Sequence, residues 1–332
     1  MIPITKPFLN EEEAAAARRA ATFTATLMTC SYRGDFEICR VLCDSVNRFV
    51  PDTIEHWLIV PDADRAMFEP LATARCKIIA ESSVMPHWFV RMPMPAQRWR
   101  RLLHLPRRDI YLTPFSLPVR GWIFQQIRKI AATIVTKSDI VVHIDSDAAF
   151  IRPLELERLV HAGKIHLFRD PHRVDFPKHQ KWQQAAGKLL GLPPSDYYGA
   201  EYIEPFVVWD RAVVLGMVSR IESISGHNWM ISLARTPHFS EYVLYGVYAD
   251  QVLGLEAAKL HPDANPLCHS RWGGDPFINA ADEAAFIDAI KPQHLSCNIQ
   301  SNNDIPLSRR EQLFERAVSF AAAQDTNLST KN

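Results

Sequence analysis

The feature that most constrains this chain is the apolar run Ile140–Ile144, which ends directly in Asp145, Ser146 and Asp147. A short run of branched apolar residues predicts a strand buried on both faces, as in a parallel sheet covered by helices. Open α/β sheets bind ligands at the carboxyl ends of their strands. The two carboxylates are therefore predicted to lie at a ligand-binding edge, although many Asp-x-Asp sequences are only solvated loops.

The segments around this strand predict more of the same sheet. Residues 23–28 alternate between apolar and polar side chains, residues 36–46 show helical spacing, and residues 56–61 form a second β-rich run ended by Pro61. Such a strand–helix–strand unit predicts parallel strands. The predicted fold class is α/β, a mixed but mainly parallel sheet flanked by helices. One helix carries an apolar stripe of Ile123, Ile127, Ile130 and Ile134.

Bulk properties limit the partners and the compartment. The 332 residues are 47% hydrophobic, and 37 basic residues balance 37 acidic ones, which predicts no nucleic-acid partner. The six cysteines show no CxxC or zinc-type spacing, so we expect small buried residues in a reducing compartment. Neither a signal peptide nor a membrane-spanning run is visible. A cytoplasmic protein is predicted, with peripheral association at the inner face of the membrane left open.

The carboxylates predict a metal centre. Hard oxygen ligands suit Mn²⁺ or Mg²⁺, and an ion held by Asp145 and Asp147 can bridge the pyrophosphate of a nucleotide sugar. A strand from His294 to Gln300 would place His294 on a polar face as a nitrogen ligand. His269 is a rival ligand, and an ordinary edge strand is the alternative for His294.

Other residues are candidates for the donor and acceptor. The loop after the first strand and the helix before the Asp-containing strand are predicted to contact the nucleotide sugar, although a plain turn and a surface lysine are the alternatives. Glu241 is a candidate catalytic base beside Asp147, or a glutamate that favours a helix start. Trp209, Asp210 and Tyr245 are candidates for the acceptor, and Trp209 could equally be core. The nucleotide-sugar candidates are Thr29, Ser31, Tyr32, Arg33, Asp35, Gln126, Lys129 and Asp145.

An ordered set of short motifs resembles a bacterial family of GT-A-like glycosyltransferases. They are Ser31–Asp35, Val60–Asp62, Gly121–Gln126, the Asp-Ser-Asp strand, the strand near Trp209 and Ser240–Gly246. The resemblance covers about residues 21–305 and implies one sheet with a nucleotide half and an acceptor half. More distantly, the chain is similar to retaining, Mn²⁺-dependent enzymes that extend lipopolysaccharide. That similarity implies metal ligands at Asp145, Asp147 and His294, a nucleotide-sugar donor, and a glycan or lipid-linked glycan acceptor.

The N-terminal segment reads differently. Residues 1–20 resemble the start of PLP-dependent sugar aminotransferases and are expected to lie outside the fold. We predict a single domain over residues 21–310, with a nucleotide half at 21–150 and an acceptor half at 151–310, then a C-terminal helix and frayed tail at 311–332. Two other functions remain open: a carbohydrate- or nucleotide-binding protein without turnover, and an aminotransferase fragment.

Overall fold

A computed structural model describes residues 23–93, 109–173, 177–273, 277, 279–303 and 305–329. The predictions for residues 1–20 lie outside this part of the chain. The strands are β1 Ala25–Cys30, β2 Glu55–Val60, β3 Cys76–Ala80, β4 Val90–Arg91, β5 Ile110–Leu112, β6 Val119–Arg120, β7 Ile140–Ile144, β8 Ala148–Phe150, β9 Val160–His161, β10 Lys164–Phe168, β11 Phe206–Asp210, β12 Leu260–Asp263, β13 Cys268–Arg271 and β14 Ser296–Ile299.

Helices join and cover these strands. They are α1 Phe36–Phe49, α2 Arg65–Phe68, α3 Gly121–Val135, α4 Pro177–Leu190, α5 Arg211–Ser225, α6 Trp229–Ala234, α7 Glu241–Val247, α8 Ala280–Asp288 and α9 Leu307–Ser329. Short 3-10 turns occupy Arg33–Asp35, Asp62–Asp64, Glu69–Leu71, Glu81–Ser83 and Leu156–Arg158, and α7 continues into a π-helical turn at Tyr248–Leu253. No helix in the described ranges is both long enough and apolar enough to span a bilayer.

The central sheet has five strands in the order β11-β7-β1-β2-β3. β7, β1, β2 and β3 are parallel, whereas β11 runs antiparallel to β7. The predicted mixed, mainly parallel sheet flanked by helices is therefore confirmed. The apolar stripe of α3 is buried, as its spacing predicts.

A smaller sheet extends the carboxyl edge of β7. β8 follows the Asp-Ser-Asp turn and pairs antiparallel with β14, which pairs parallel with β13. α9 and α8 pack against this sheet through a second apolar cluster that includes Phe286, Leu313 and Phe314. α9 begins before residue 311 and continues past Asp325 to Ser329, so the polar tail is helical where the sequence predicted fraying.

Candidate functional site

Three carboxylates meet at the carboxyl ends of β1 and β7. Because these strands are parallel neighbours, the loops that leave them lie side by side. Ser146 Oγ donates a hydrogen bond of 3.5 Å to Asp35 Oδ2, which joins the loop after β1 to the Asp-Ser-Asp turn. The structure thus brings together Asp35, Asp145 and Asp147.

Asp147 is held rigidly from the neighbouring sheet. Its Oδ1 accepts a 2.6 Å hydrogen bond from Asn298 Nδ2, and its Oδ2 accepts one of 2.6 Å from the backbone N–H of Ser301. Burial, with the nearby charge of Asp145, raises the pKa of Asp147 to about 6. Each carboxylate oxygen keeps a lone pair that the protein does not use.

The same crowding affects Asp35. Burial raises its pKa to about 6, against the opposing hydrogen bond from Ser146 and the charge of Arg310. Two carboxyl groups that titrate well above their usual range at one sheet edge form a site that a cation would stabilise.

Lys129 on α3 supplies a fixed positive charge beside Asp145. Its Nζ lies 3.2 Å from Asp145 Oδ1 and 3.2 Å from Glu241 Oε1, and it donates a hydrogen bond to Tyr242 Oη. Although burial acts in the opposite sense, Asp145, Tyr242 and Glu241 hold the pKa of Lys129 well above its usual value. Gln126, one turn earlier on α3, accepts a 3.0 Å hydrogen bond from the Glu241 N–H.

Glu241 is therefore not placed as a free base. Its side chain is only 5% exposed and is engaged by Lys129. Burial raises its pKa, and the charge of Lys129 opposes that shift. In this position Glu241 orients Lys129 towards Asp145, and it reaches a substrate only through that lysine.

The loop after β1 divides into buried and exposed parts. Thr29 and Ser31 are buried, and the Thr29 hydroxyl lies 3.0 Å from His56 Nε2. Tyr32 is 49% exposed. Arg33 is anchored by Asp64, to which its Nε and backbone N–H donate at 2.6 and 2.9 Å. Tyr32 and Arg33 are thus presented at the edge, whereas Thr29 belongs to the interior.

A cavity of about 380 Å³ lies beside this loop, at the ends of β2 and β3. Its lining includes Asp62, Glu81, Met85, Phe89 and Phe124. Arg128 on α3 donates a 2.8 Å hydrogen bond to Glu81, one residue before the lysine that contacts Asp145. α3 therefore connects the cavity to the carboxylates, and the cavity volume is typical of a small-molecule site.

The predicted acceptor residues lie elsewhere. Trp209 and Tyr245 are each 1% exposed and stack on one another with ring centroids 5.2 Å apart. Asp210 caps α5, where its Oδ1 accepts hydrogen bonds from the N–H groups of Ala212 and Val213. Because β11 is antiparallel to β7, its carboxyl end faces the sheet edge opposite Asp145. The structure does not bring these three residues to the site.

His294 is also displaced from the carboxylates. It lies in a turn before β14, where its Nδ1 accepts a 3.0 Å hydrogen bond from the Lys291 N–H and its ring stacks on His269. Asn298 in β14 pairs with Ala148, so His294 lies level with Arg152, roughly 16 Å along the strand from Asp147. His294 and His269 do not join Asp145 and Asp147 in a metal site.

The residues present nevertheless fit a hard divalent cation. Asn298 Oδ1 is buried without a hydrogen-bond partner beside Asp147. Carboxylate and amide oxygens are the ligands that Mn²⁺ and Mg²⁺ accept. Asp35, Asp145, Asp147 and Asn298 form such a donor set, without a histidine.

Comparisons with known proteins place the chain in a family. Residues 20–320 match a family described as "Family of unknown function (DUF6492)". The chain belongs to this family. No curated protein matches it. Among solved structures, it is similar to mouse xyloside xylosyltransferase 1 in its apo form, with 11% sequence identity, 86% of this chain and 99% of that chain covered, and a TM-score of 0.41.

Within this DUF6492 chain, sequence reasoning missed several site residues. Asn298 lay on the polar face predicted for His294, but its contact with Asp147 was not foreseen. Arg310 on α9 is buried, donates to the backbone of Ile299, and its charge acts on Asp147 and Asp35. Only the pairing of β8 with β14 brings these distant segments together, so no local pattern identifies them.

A buried polar segment before β11 was also missed. The Asp145 N–H donates a 3.0 Å hydrogen bond to Pro205 O, which places Glu204 at the carboxyl edge of β7. Glu204 accepts a 2.8 Å hydrogen bond from Arg173. Burial raises the pKa of Glu204 to about 7, against the opposing charge of Arg173. The antiparallel direction of β11 brings its beginning, and not its end, to the site.

Proposed function

We propose that this chain is a metal-dependent glycosyltransferase that moves a sugar from a nucleotide sugar to a glycan or lipid-linked glycan acceptor. The observation that carries the proposal is the cluster of Asp35, Asp145 and Asp147 with Lys129 at the carboxyl edge of a parallel sheet. Carboxylates for a divalent ion beside a fixed ammonium suit a diphosphate, whose charge both neutralise.

Donor binding is proposed to span the edge from β3 to β7. The cavity lined by Met85, Phe89 and Phe124 has room for a nucleoside, and Tyr32 and Arg33 flank it. Lys129 then lies on the side of the diphosphate. A preorganised charge here stabilises the leaving diphosphate without reorganisation during the reaction.

The proposed cation ligands are Asp145 and Asp147, with Asp35 and Asn298 beside them. Bound Mn²⁺ or Mg²⁺ supplies Lewis-acid stabilisation of the departing phosphate oxygens. Asn298 and Ser301 fix the Asp147 carboxylate, and Glu241 fixes Lys129. These contacts limit the movement of the charged groups that a diphosphate would meet.

The acceptor is proposed to approach from the side of Glu204 and Arg173. A carboxyl group whose pKa lies near 7 is suited to accept a proton from a hydroxyl at neutral pH. This segment replaces Trp209, Asp210 and Tyr245 as the proposed acceptor side. A cytoplasmic location, at or away from the inner face of the membrane, remains part of the proposal.

Turnover tests the proposal directly. Purified chain is incubated with a panel of UDP-, GDP- and CMP-sugars, with Mn²⁺ or a chelator, and release of the nucleotide is followed. We expect metal-dependent release from one donor, reduced at least about 100-fold in Asp147→Asn. Asp210→Asn is the matched control, since asparagine still caps α5 at the opposite edge.

The other outcomes separate the alternatives. Metal-dependent binding of a nucleotide without release from any donor would favour the binding protein without turnover. Equal release by wild type and Asp147→Asn would contradict the proposed site.

A further inference from the structure

Three metal-binding side chains meet in the core beneath the first strand–helix–strand unit. Cys43 of α1, His56 of β2 and Cys76 of β3 are 4%, 0% and 3% exposed. Their ligand atoms all lie within 4.8 Å of one another. The surrounding cluster is apolar and includes Leu58 and Phe68, so water does not account for these three polar atoms.

The spacing of these atoms agrees with that of zinc ligands. His56 Nδ1 lies 3.7 Å from Cys76 Sγ. Tetrahedral zinc with Zn–S near 2.3 Å and Zn–N near 2.05 Å separates a sulfur and a nitrogen ligand by about 3.6 Å. An ion can therefore enter this group with little rearrangement of the two side chains.

The surroundings prepare both ligand types. The Thr29 hydroxyl lies 3.0 Å from His56 Nε2; when Nε2 carries the proton and donates to it, Nδ1 is left unprotonated towards Cys76. The hydrogen bond from Cys43, with smaller contributions from His56 and Arg75, lowers the pKa of Cys76 to about 5. Zinc binds the thiolate form of cysteine and neutral imidazole.

We propose that Cys43, His56 and Cys76 bind one structural Zn²⁺ ion. The nearest further donor is Cys39, which is fully buried one helical turn before Cys43 and contacts its thiol. Thiolate and imidazole ligands select zinc over Mn²⁺ or Mg²⁺, so this centre is chemically distinct from the carboxylate edge. No local spacing marks it, because the ligands come from three separate elements.

Such an ion would tie α1, β2 and β3 together directly below the loop that carries Tyr32 and Arg33. Thr29 connects the centre to β1, two residues before that loop begins. The role is structural, since the ligands are buried and closed to substrate.

Metal content tests the proposal. The full chain is produced under reducing conditions with added Zn²⁺, desalted and measured by elemental mass spectrometry. We expect about one zinc per chain, lost in the Cys43→Ala/Cys76→Ala double variant. The matched control is Cys268→Ala/Cys297→Ala, which removes two equally buried thiols from another sheet and keeps the metal.

A second measurement does not depend on the folding of a variant. Co²⁺ is exchanged into wild-type chain, and we expect the thiolate-to-cobalt charge-transfer band and visible d–d bands of a tetrahedral site. X-ray absorption on the zinc form should give sulfur at about 2.3 Å and nitrogen at about 2.0 Å. Absence of bound zinc and cobalt in reduced, folded wild type would overturn the proposal. A Cys43–Cys76 disulfide in freshly isolated chain, or zinc retained by the folded double variant, would also overturn it.

Discussion

The ammonium of Lys129 lies 3.2 Å from Oδ1 of Asp145, and both groups belong to the edge where β1 and β7 end. Glu241 binds the other side of the same ammonium, also at 3.2 Å. The lysine is 7% exposed, so its charge is fixed by two carboxylates and is not free to leave for solvent. One buried cation thus connects α3, the Asp-Ser-Asp turn and α7.

Removing this lysine should destabilise the fold strongly. Lys129→Met leaves the buried Glu241 carboxylate unpaired, and breaking a buried pair in this way costs about 3–5 kcal/mol of unfolding free energy. Urea denaturation measures the loss. Lys164→Met is the control, because Lys164 pairs with the largely exposed Glu256 and should change stability by less than about 1 kcal/mol. Equal losses in the two variants would contradict the buried network.

The raised pKa of Asp35 predicts a pH dependence of stability. Asp35 ionises at its ordinary pKa of 3.8 in the unfolded chain and near 6 in the folded one. The folded state therefore holds the proton more tightly, and the stability contributed by this group is lost as the pH rises through about 6. Asparagine does not ionise, so Asp35→Asn should gain on wild type by on the order of 1 kcal/mol between pH 4.5 and 7.5.

Chemical denaturation at both pH values, with a chelator present, gives this difference. Wild type titrated with Mn²⁺ should recover the lost stability at the higher pH. A constant difference between the two proteins across this pH range would show that Asp35 ionises normally in the folded state.

His294 should be separable from cation binding. His294→Ala removes the acceptor of the Lys291 N–H and the ring stacked on His269, which should cost about 1–3 kcal/mol of stability. Stabilisation by nucleotide with Mn²⁺ should remain, because the ring lies far along β14 from Asp147. Thermal unfolding with and without ligand measures both effects. Loss of the ligand effect alone would restore His294 as a metal ligand.

The end of α9 should contribute to stability through Arg152. This arginine is 2% exposed and donates to Gln324 Oε1 at 2.7 Å and to both carboxylate oxygens of Asp325 at 3.0 Å. Ending the chain after Ala322 leaves those donors unpaired and should cost about 1–3 kcal/mol. A chain ending at Ser329 is the control. Equal stability of the two would show that the last turns do not hold Arg152.

The sequence predicted the strands and helices that have strong local patterns. The apolar run of β7 and the isoleucine stripe of α3 have the structure that their spacing indicates, and Asp145 and Lys129 meet as a consequence. Local patterns do not encode strand direction. β11 reads as a strand entering a helix in either orientation, and its antiparallel pairing moves Trp209 and Asp210 away from the site and brings Glu204 to it.

Long-range pairing explains the other differences. Asn298 and Arg310 reach Asp147 only because β14 pairs with β8 and α9 covers both, which joins segments about 150 residues apart. The alternation from His294 to Gln300 identified a polar row, but the strand begins at Ser296 and its far end faces away from the carboxylates.

Nucleotide binding tests the central claim most directly. The melting temperature of the chain is measured with UDP, GDP, CDP and CMP, with and without Mn²⁺, for wild type, Asp147→Asn and the control Asp210→Asn. A ligand that binds only the folded state raises the melting temperature by mass action. The account predicts Mn²⁺-dependent stabilisation by one nucleotide in wild type and Asp210→Asn, and none in Asp147→Asn. No stabilisation by any nucleotide at millimolar concentration, or equal stabilisation of all three proteins, would contradict a diphosphate site at the Asp-Ser-Asp edge.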